Sequence, residues 1–245
     1  MPKRHRTKLT KEEFEKAVVP SNHIIVELLR EEDQAYTHGG TYLGMHEDST
    51  WEEESETHSA DIASVVGIAR KLPNKLTFGA KEGDMPWDCD MVLKEGDMVW
   101  FNVIESKNSN EIVVDGTVHR VIPYRDVYVA KRRVGFEWDG KPYYDVIMLN
   151  GFVLLEQVPI PSMSELDTLD HGVYNDRGIV RYLGAPNRKY IRKEYTDSLP
   201  IKEGDLVFIQ RGYQPFPLER RTYLSEFSKD KIYYVIQRRR LIFAL

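Results

Sequence analysis

The sequence predicts an all-β protein made of two tandem copies of one strand-rich domain, preceded by a short helix. Three observations carry that expectation. Leu93–Trp100 (LKEGDMVW) returns as Ile201–Phe208 (IKEGDLVF) at an offset of 108, 201 minus 93, and self-similarity of this kind marks a duplicated unit. Most of the chain reads as short β-branched and aromatic runs split by polar turns, a pattern of strands without alternating helices. The length of 245 residues leaves room for two cores of ~100 to 120 residues each.

The first element follows a basic tail of Lys3, Arg4, Arg6 and Lys8. Thr10 with Glu13 three places on has capping-box spacing, because hydroxyl and carboxylate can each satisfy a free backbone donor of a helix start. Tail and helix together take residues 1–17. Strand-rich unit 1 then spans 18–132, a semi-ordered linker 133–145, and unit 2 spans 146–245. Gly135, Gly140 and Pro142 mark the linker, while Phe136 and Trp138 indicate that it packs on something.

Four landmarks pair across the units. His23–Leu29 corresponds to Gly151–Gln157, each after an asparagine, Asn22 and Asn150. Gly67, Ile68 and Ala69 correspond to Gly178, Ile179 and Val180, and the repeated turn comes next. Tyr124–Val129 is matched with Ser228–Asp230 followed by Ile232–Val235. The offset is 128 at the asparagines (150 minus 22) and 111 at the glycines (178 minus 67), so unit 1 carries 17 extra residues between its first two strands. Added loop length costs little closure entropy, and long loops often hold binding function.

A chain that is 41% hydrophobic and 30% charged with a net charge of -5 reads as a soluble globular protein without a general nucleic-acid footprint. The run Arg238–Arg240 reads as solvated surface. Cys89 is the single cysteine, which excludes an intramolecular disulfide and a cysteine zinc cluster and fits a reducing, cytoplasmic compartment. No apolar run reaches signal-peptide length or the ~20 residues of a membrane span.

Taken together, the landmarks resemble the GroES-type co-chaperonin family, whose small β-barrel subunits form the lid ring of a GroEL-type chaperonin. In unit 2, Gly178–Val180 with Gly184 looks like the family's second strand. Leu199–Phe208 looks like its glycine, aspartate turn and strand, Gly212 and Tyr213 follow at the family's spacing, and Ser228–Val235 looks like its closing segment. Unit 1 has Ser106–Ser109 in place of the glycine and tyrosine pair. The resemblance covers about 18–132 and 146–245 and implies two tandem β-barrels that self-associate into a ring. It also implies binding to a GroEL-type chaperonin, with unfolded client proteins met only indirectly. The family's usual ring is sevenfold, an odd number that whole two-domain chains cannot fill.

In the family, a mobile loop between the first two strands docks through a glycine pair followed by three apolar residues. At that place unit 1 has Gly39, Gly40, Thr41, Tyr42 and Leu43, with Met45 as a soft gap-filler. Glycines permit the backbone angles of a tight turn, and Tyr42 and Leu43 would supply buried anchors. Thr41 is polar where the family has an isoleucine. The alternative is a glycine hairpin whose Tyr42 and Leu43 pack on their own barrel. The flanking Glu47–Glu56 is too acidic to bury a core. In unit 2, Pro159–Asp176 lacks the glycine pair, and His171–Tyr174 reads as a structural turn.

Catalytic chemistry and a resident cofactor are not expected. The histidines His5, His23, His38, His46, His58, His119 and His171 show no metal-ligand spacing, and His38, His46 and His58 read as solvated loop residues. Neither a phosphate-binding glycine loop nor a nucleophile elbow occurs. The catalytic domain of medium-chain alcohol dehydrogenases resembles the same barrel, but its cysteine and histidine zinc ligands and its dinucleotide domain have no match here. A structural or assembly protein on the duplicated barrel, for example in a viral particle, is the second reading.

Overall fold

The computed structural model describes residues 6–28, 64–102, 110–138, 140, 142–160, 173–192, 199–211, 216–218 and 233–245. Fourteen strands and one α-helix are found among them. In chain order they are β1 (Arg6–Leu9), α1 (Lys11–Lys16), β2 (His23–Leu28), β3 (Ser64–Lys71), β4 (Met98–Asn102), β5 (Glu111–Val114), β6 (Thr117–Pro123), β7 (Val127–Phe136) and β8 (Pro142–Met148). Then come β9 (Phe152–Pro159), β10 (Val173–Leu183), β11 (Leu206–Ile209), β12 (Phe216–Leu218), β13 (Tyr233–Gln237) and β14 (Leu241–Ala244). The fold is all-β, with the short helix where the capping box put it. Thr10 Oγ1 accepts the Glu13 N–H at 3.2 Å, and the Glu13 carboxylate accepts the Thr10 N–H at 2.8 Å.

The strands form two sheets. The first runs β1-β5-β6-β2-β3-β4-β7-β8 and the second β12-β13-β9-β10-β11-β14. Six consecutive positions of the first, β5-β6-β2-β3-β4-β7, repeat strand for strand as the whole of the second. No closed barrel is found among the described strands, since the sheets end at β1 and β8 and at β12 and β14.

The repetition extends to single hydrogen bonds. In the repeated turn Gly96 has φ 91° and Gly204 φ 92°, the left-handed backbone that a type II turn demands of its third residue. Asp97 Oδ2 accepts the Lys94 N–H at 2.8 Å, and Asp205 Oδ2 accepts the Lys202 N–H at 2.9 Å. The two turn glycines then donate to Ala69 and Val180, at 2.7 and 2.8 Å. Even the irregularities agree. Register shifts fall opposite Ile25/Val26 on β2 and at Val180/Tyr182 on β10, and again at Trp100/Phe101 and Phe208/Ile209.

This register corrects three sequence expectations. The residue before β2 is Asn22, whose carbonyl accepts the Tyr124 N–H; its counterpart before β9 is Gly151, whose carbonyl accepts the Arg238 N–H, both at 2.8 Å. The first offset is therefore 129, 151 minus 22, and unit 1 carries 18 extra residues, not 17. The same bonds pair the 3-10 turn Tyr124–Asp126 with Arg238–Arg240, and not with Ser228–Asp230. The turn needs only a backbone bond from the following residue to its first carbonyl, so its side chains diverged freely. Arg238 is accordingly buried, donating to the Leu199 carbonyl at 3.1 Å, where the sequence had put the whole arginine run on solvated surface.

The segment expected as a linker is a hairpin of β7 and β8, turning at Gly140 with φ 82°. Its glycines looked like breakers, but Gly135 lies at a register shift under the Tyr143 ring, where an added Cβ would fall 2.7 Å from Cε1. A strand accepts such a glycine when a neighbouring aromatic covers the bare backbone.

Inner faces of both sheets build separate cores, around Ile24, Val26, Val99 and Ile122 in the first and Val153, Leu155, Val207 and Ile236 in the second. A third cluster joins the units: Trp100, Tyr128 and Val129 from the first pack against Met148, Phe152, Leu154, Tyr233 and Val235. Full burial of one such side chain contributes about 1.5–3 kcal/mol, so this seam is a substantial contact. A polar seam adds to it. Asp88 and Arg188 exchange backbone hydrogen bonds of 2.7 and 2.8 Å, Arg188 Nη2 reaches Asp90 at 2.9 Å, and Trp87 meets Tyr190 with ring centroids 5.9 Å apart.

Candidate functional site

The sequence-nominated docking residues Gly39, Gly40, Thr41, Tyr42, Leu43 and Met45 lie outside the described residues, as do His38, His46 and His58. What the structure describes is the base from which that connection leaves. β2 ends at Leu28 and β3 begins at Ser64, with Leu28 opposite Gly67. An added Cβ at Gly67 would sit 2.3 Å from Val26 Cγ1 and 2.7 Å from the Glu27 carbonyl oxygen, so only glycine allows the two backbones this approach. The root of the connection is thereby fixed.

Beside it Glu27 pairs with Arg70, and in unit 2 Glu156 pairs with Arg181 at the equivalent positions. Hydrogen bonding to Glu156 raises the Arg181 pKa above its usual range. His119 Nε2 lies 3.9 Å from Glu27, while its Nδ1 donates to the Thr117 carbonyl at 3.2 Å. Burial is the larger influence on this imidazole and lowers its pKa, against the opposing pull of the Thr117 bond and Glu27. It is therefore a neutral group at neutral pH. Its counterpart in unit 2 is Tyr233, opposite Glu156 as His119 is opposite Glu27.

α1 lies across the outer face of unit 1 at this place. The Phe14 ring is 4.8 Å from that of His119, and Lys71 Nζ sits 5.2 Å over Phe14. The same ammonium donates to the carbonyls of Glu15 at 2.7 Å and Ala17 at 3.0 Å, closing the C-terminal end of the helix. No residue of α1 is buried, and a groove of about 660 Å³ remains open beneath it, lined by Phe14, Glu15, Lys71, Val114, Thr117 and His119 among others. Sequence reasoning placed the helix but not its seat, because Lys71 and His119 are brought to it by a strand register far along the chain.

Cys89 is inert by the same logic: burial pushes its thiol up to about 11. Among the described residues no three of histidine, cysteine, aspartate and glutamate gather where they could hold a metal ion, and no helix is long and apolar enough to cross a membrane. No protein-family model matches this chain, and no curated protein matches it.

Proposed function

We propose that this chain is a co-chaperonin of the GroES type, with two barrel-type units in tandem, that assembles into a ring-like lid and binds a GroEL-type chaperonin. The observation that carries the reading is the strand-for-strand repeat of one six-strand order, with a long connection between the first two strands of unit 1 only. A fixed root at Gly67 and a long acidic segment beyond it suit a docking loop that reaches out from a rigid base. Within it Tyr42 and Leu43 are the anchors and Gly39 and Gly40 the turn. Ordering such a loop on contact takes back part of its binding energy, so each contact is weak, and several loops on one ring restore affinity through effective concentration. ATP hydrolysis belongs to the partner.

A second reading, a structural or assembly protein on the same duplicated framework, is favoured by Thr41, which breaks the apolar triplet, and by the missing glycine pair in unit 2. One experiment separates the two. Binding of the full chain to its cognate GroEL-type chaperonin is measured with ATP present, beside a variant carrying Tyr42→Ser and Leu43→Ser. Binding that the double substitution abolishes is the expected result; no binding by the natural chain sinks the co-chaperonin reading.

A further inference from the structure

Between β7 and β8 the chain makes a longer arm than joining them requires. The last pair between β4 and β7 is Met98 with Lys131, whereas the ladder of β7 and β8 runs on to Phe136 and Pro142. A two-residue turn soon after Lys131 would connect the strands. Instead a two-stranded arm stands clear of the sheet. It leaves at the Met98 end of β4, while Ser64 faces Asn102 at the other end, so the arm points away from the root of the long connection.

A lone hairpin is marginal in water, and this one is pinned at its base. Arg132 holds Asp97 through two bonds and the Val92 carbonyl through a third, Lys131 Nζ sits 4.3 Å from the Tyr144 ring, and Arg133 lies 5.4 Å over Phe136. At the tip the Gly140 N–H donates to the Glu137 carbonyl at 2.9 Å, which puts Trp138 in a tight turn. The aromatics of this segment, expected from sequence to pack on something, stand in water: Trp138 is 99% and Phe136 62% exposed. A pinned arm that carries large apolar groups into solvent suits a contact outside its own chain, and its stiffness keeps the ordering cost of that contact low.

A complementary patch lies at the same end of the fold. Asp88 and Arg188 exchange backbone bonds and the Ile191 N–H donates to the Pro86 carbonyl at 3.0 Å, so residues 188–192 sit beside the 86–92 segment whose Val92 anchors the arm. There Ile191 is 44% exposed, with Lys189 and Arg192 exposed on either side of it in sequence. Lys189 has φ 43°, a left-handed backbone that persists in a lysine only where the surroundings impose it. The tip offers an indole next to the exposed carboxylate of Glu137, and the patch offers an aliphatic side chain flanked by two cations. Both the charge and the attraction of a cation to an indole face match.

We propose that the arm tip of one copy docks on the Lys189, Ile191 and Arg192 patch of a second copy, Trp138 on Ile191 and Glu137 against the cations, while the second arm returns the same contact across a twofold axis. Such a contact is isologous and closes at two copies. The aromatic surface of Trp138 and Phe136, matched on the patch and doubled by the axis, comes to roughly 1,400 Å², within the range of specific interfaces. It uses neither the Tyr42 and Leu43 segment nor the end of the fold that carries it, so it stands apart from the chaperonin reading.

Sedimentation equilibrium of the full chain, without chaperonin, tests the idea. The natural chain should pair with a Kd of about 10 µM. Trp138→Ser removes a side chain that the fold does not cover, so it leaves folding intact and should weaken pairing at least about tenfold. Glu137→Lys and Lys189→Glu should each weaken self-pairing about tenfold, since both contacts then set like charges together. An equal mixture of these two charge-reversed chains should pair as well as the natural chain, because every contact in the mixed pair joins opposite charges. The proposal is overturned if the natural chain and Trp138→Ser associate alike up to about 100 µM, or if the mixture pairs no better than its parts.

Discussion

Asp97→Ala should destabilise the protein about three times as much as Asp205→Ala, although the two aspartates hold the same place in the repeated turn. Each accepts one backbone N–H, from Lys94 or Lys202, and losing that bond costs about 1 kcal/mol. Asp97 also takes a two-pronged contact from Arg132, with Nε on Oδ1 at 2.9 Å and Nη2 on Oδ2 at 2.7 Å. This bonding raises the Arg132 pKa above its usual range. The Asp97 side chain is only 3% exposed, but that of Arg132 is 22% exposed, so water recovers part of the lost interaction. A charge-assisted pair in that setting adds about 2 kcal/mol, which gives about 3 kcal/mol for Asp97→Ala against about 1 kcal/mol for Asp205→Ala. Urea unfolding at constant slope measures both, and a double-mutant cycle with Arg132→Ala isolates the pair, with an expected coupling of about 1.5 kcal/mol. Arg132 keeps a second acceptor, the Val92 carbonyl at 2.8 Å, which the cycle cancels. Equal losses at the two aspartates, or coupling near zero, would refute the reasoning.

Gly67→Ala should cost about 3 kcal/mol and Gly178→Ala about 1 kcal/mol, because the added Cβ meets Val26 Cγ1 at 2.3 Å in the first case and Leu155 Cβ at 2.9 Å in the second. Thermal unfolding ranks them, and a reversed order would contradict the geometry. His119 supplies a pH dependence whose sign follows from burial, which holds its folded pKa below the ordinary histidine value of about 6.5. As pH falls through that value the unfolded chain takes up the proton first, so stability declines on acidification below it, and the decline should shrink in His119→Tyr, which copies unit 2. A variant with an unchanged pH profile would show that His119 is not the group responsible.

Parts of this architecture are written in contiguous residues and parts are not. The repeated turn is legible because its glycine angle, its aspartate bond and its strand all lie within eight positions. The capping box of Thr10 and Glu13 is legible for the same reason. The counterpart of Tyr124–Asp126 is not legible, because Ser228, Lys229 and Asp230 look more like Tyr124, Arg125 and Asp126 than Arg238–Arg240 does, while the 3-10 turn asks only for a backbone bond. Gly135 and Gly140 gave the same signal in sequence, yet one is a strand residue covered by Tyr143 and the other a turn. The seat of α1 and the seam between units depend on pairing between distant strands, which a local pattern does not encode. The nominated docking residues, from Gly39 to Met45, fall outside the described residues, so the framework speaks only for their base.

The two units diverge in a way that separates folding from contact. Inner-face positions keep one chemical class: Ile24 with Val153, Val26 with Leu155, Ala69 with Val180, Ile122 with Ile236, all buried. Any of these exchanges preserves apolar burial, so the core tolerates them at the cost of small volume adjustments. Outer-face positions change class according to what covers them. Tyr182 and Tyr233, packed on unit 1, become Lys71 and His119 where the cover is α1. A tyrosine could not replace Lys71 there, since one ammonium serves two carbonyls at the helix end, complements the negative end of the helix and still sits over Phe14. The outer face of unit 1 is thus fitted to its helix and is not a decayed copy of the face on unit 2. No residue of α1 is itself buried, so the helix is held to this face by the Lys71 bonds and the Phe14 ring contacts more than by burial of its own side chains.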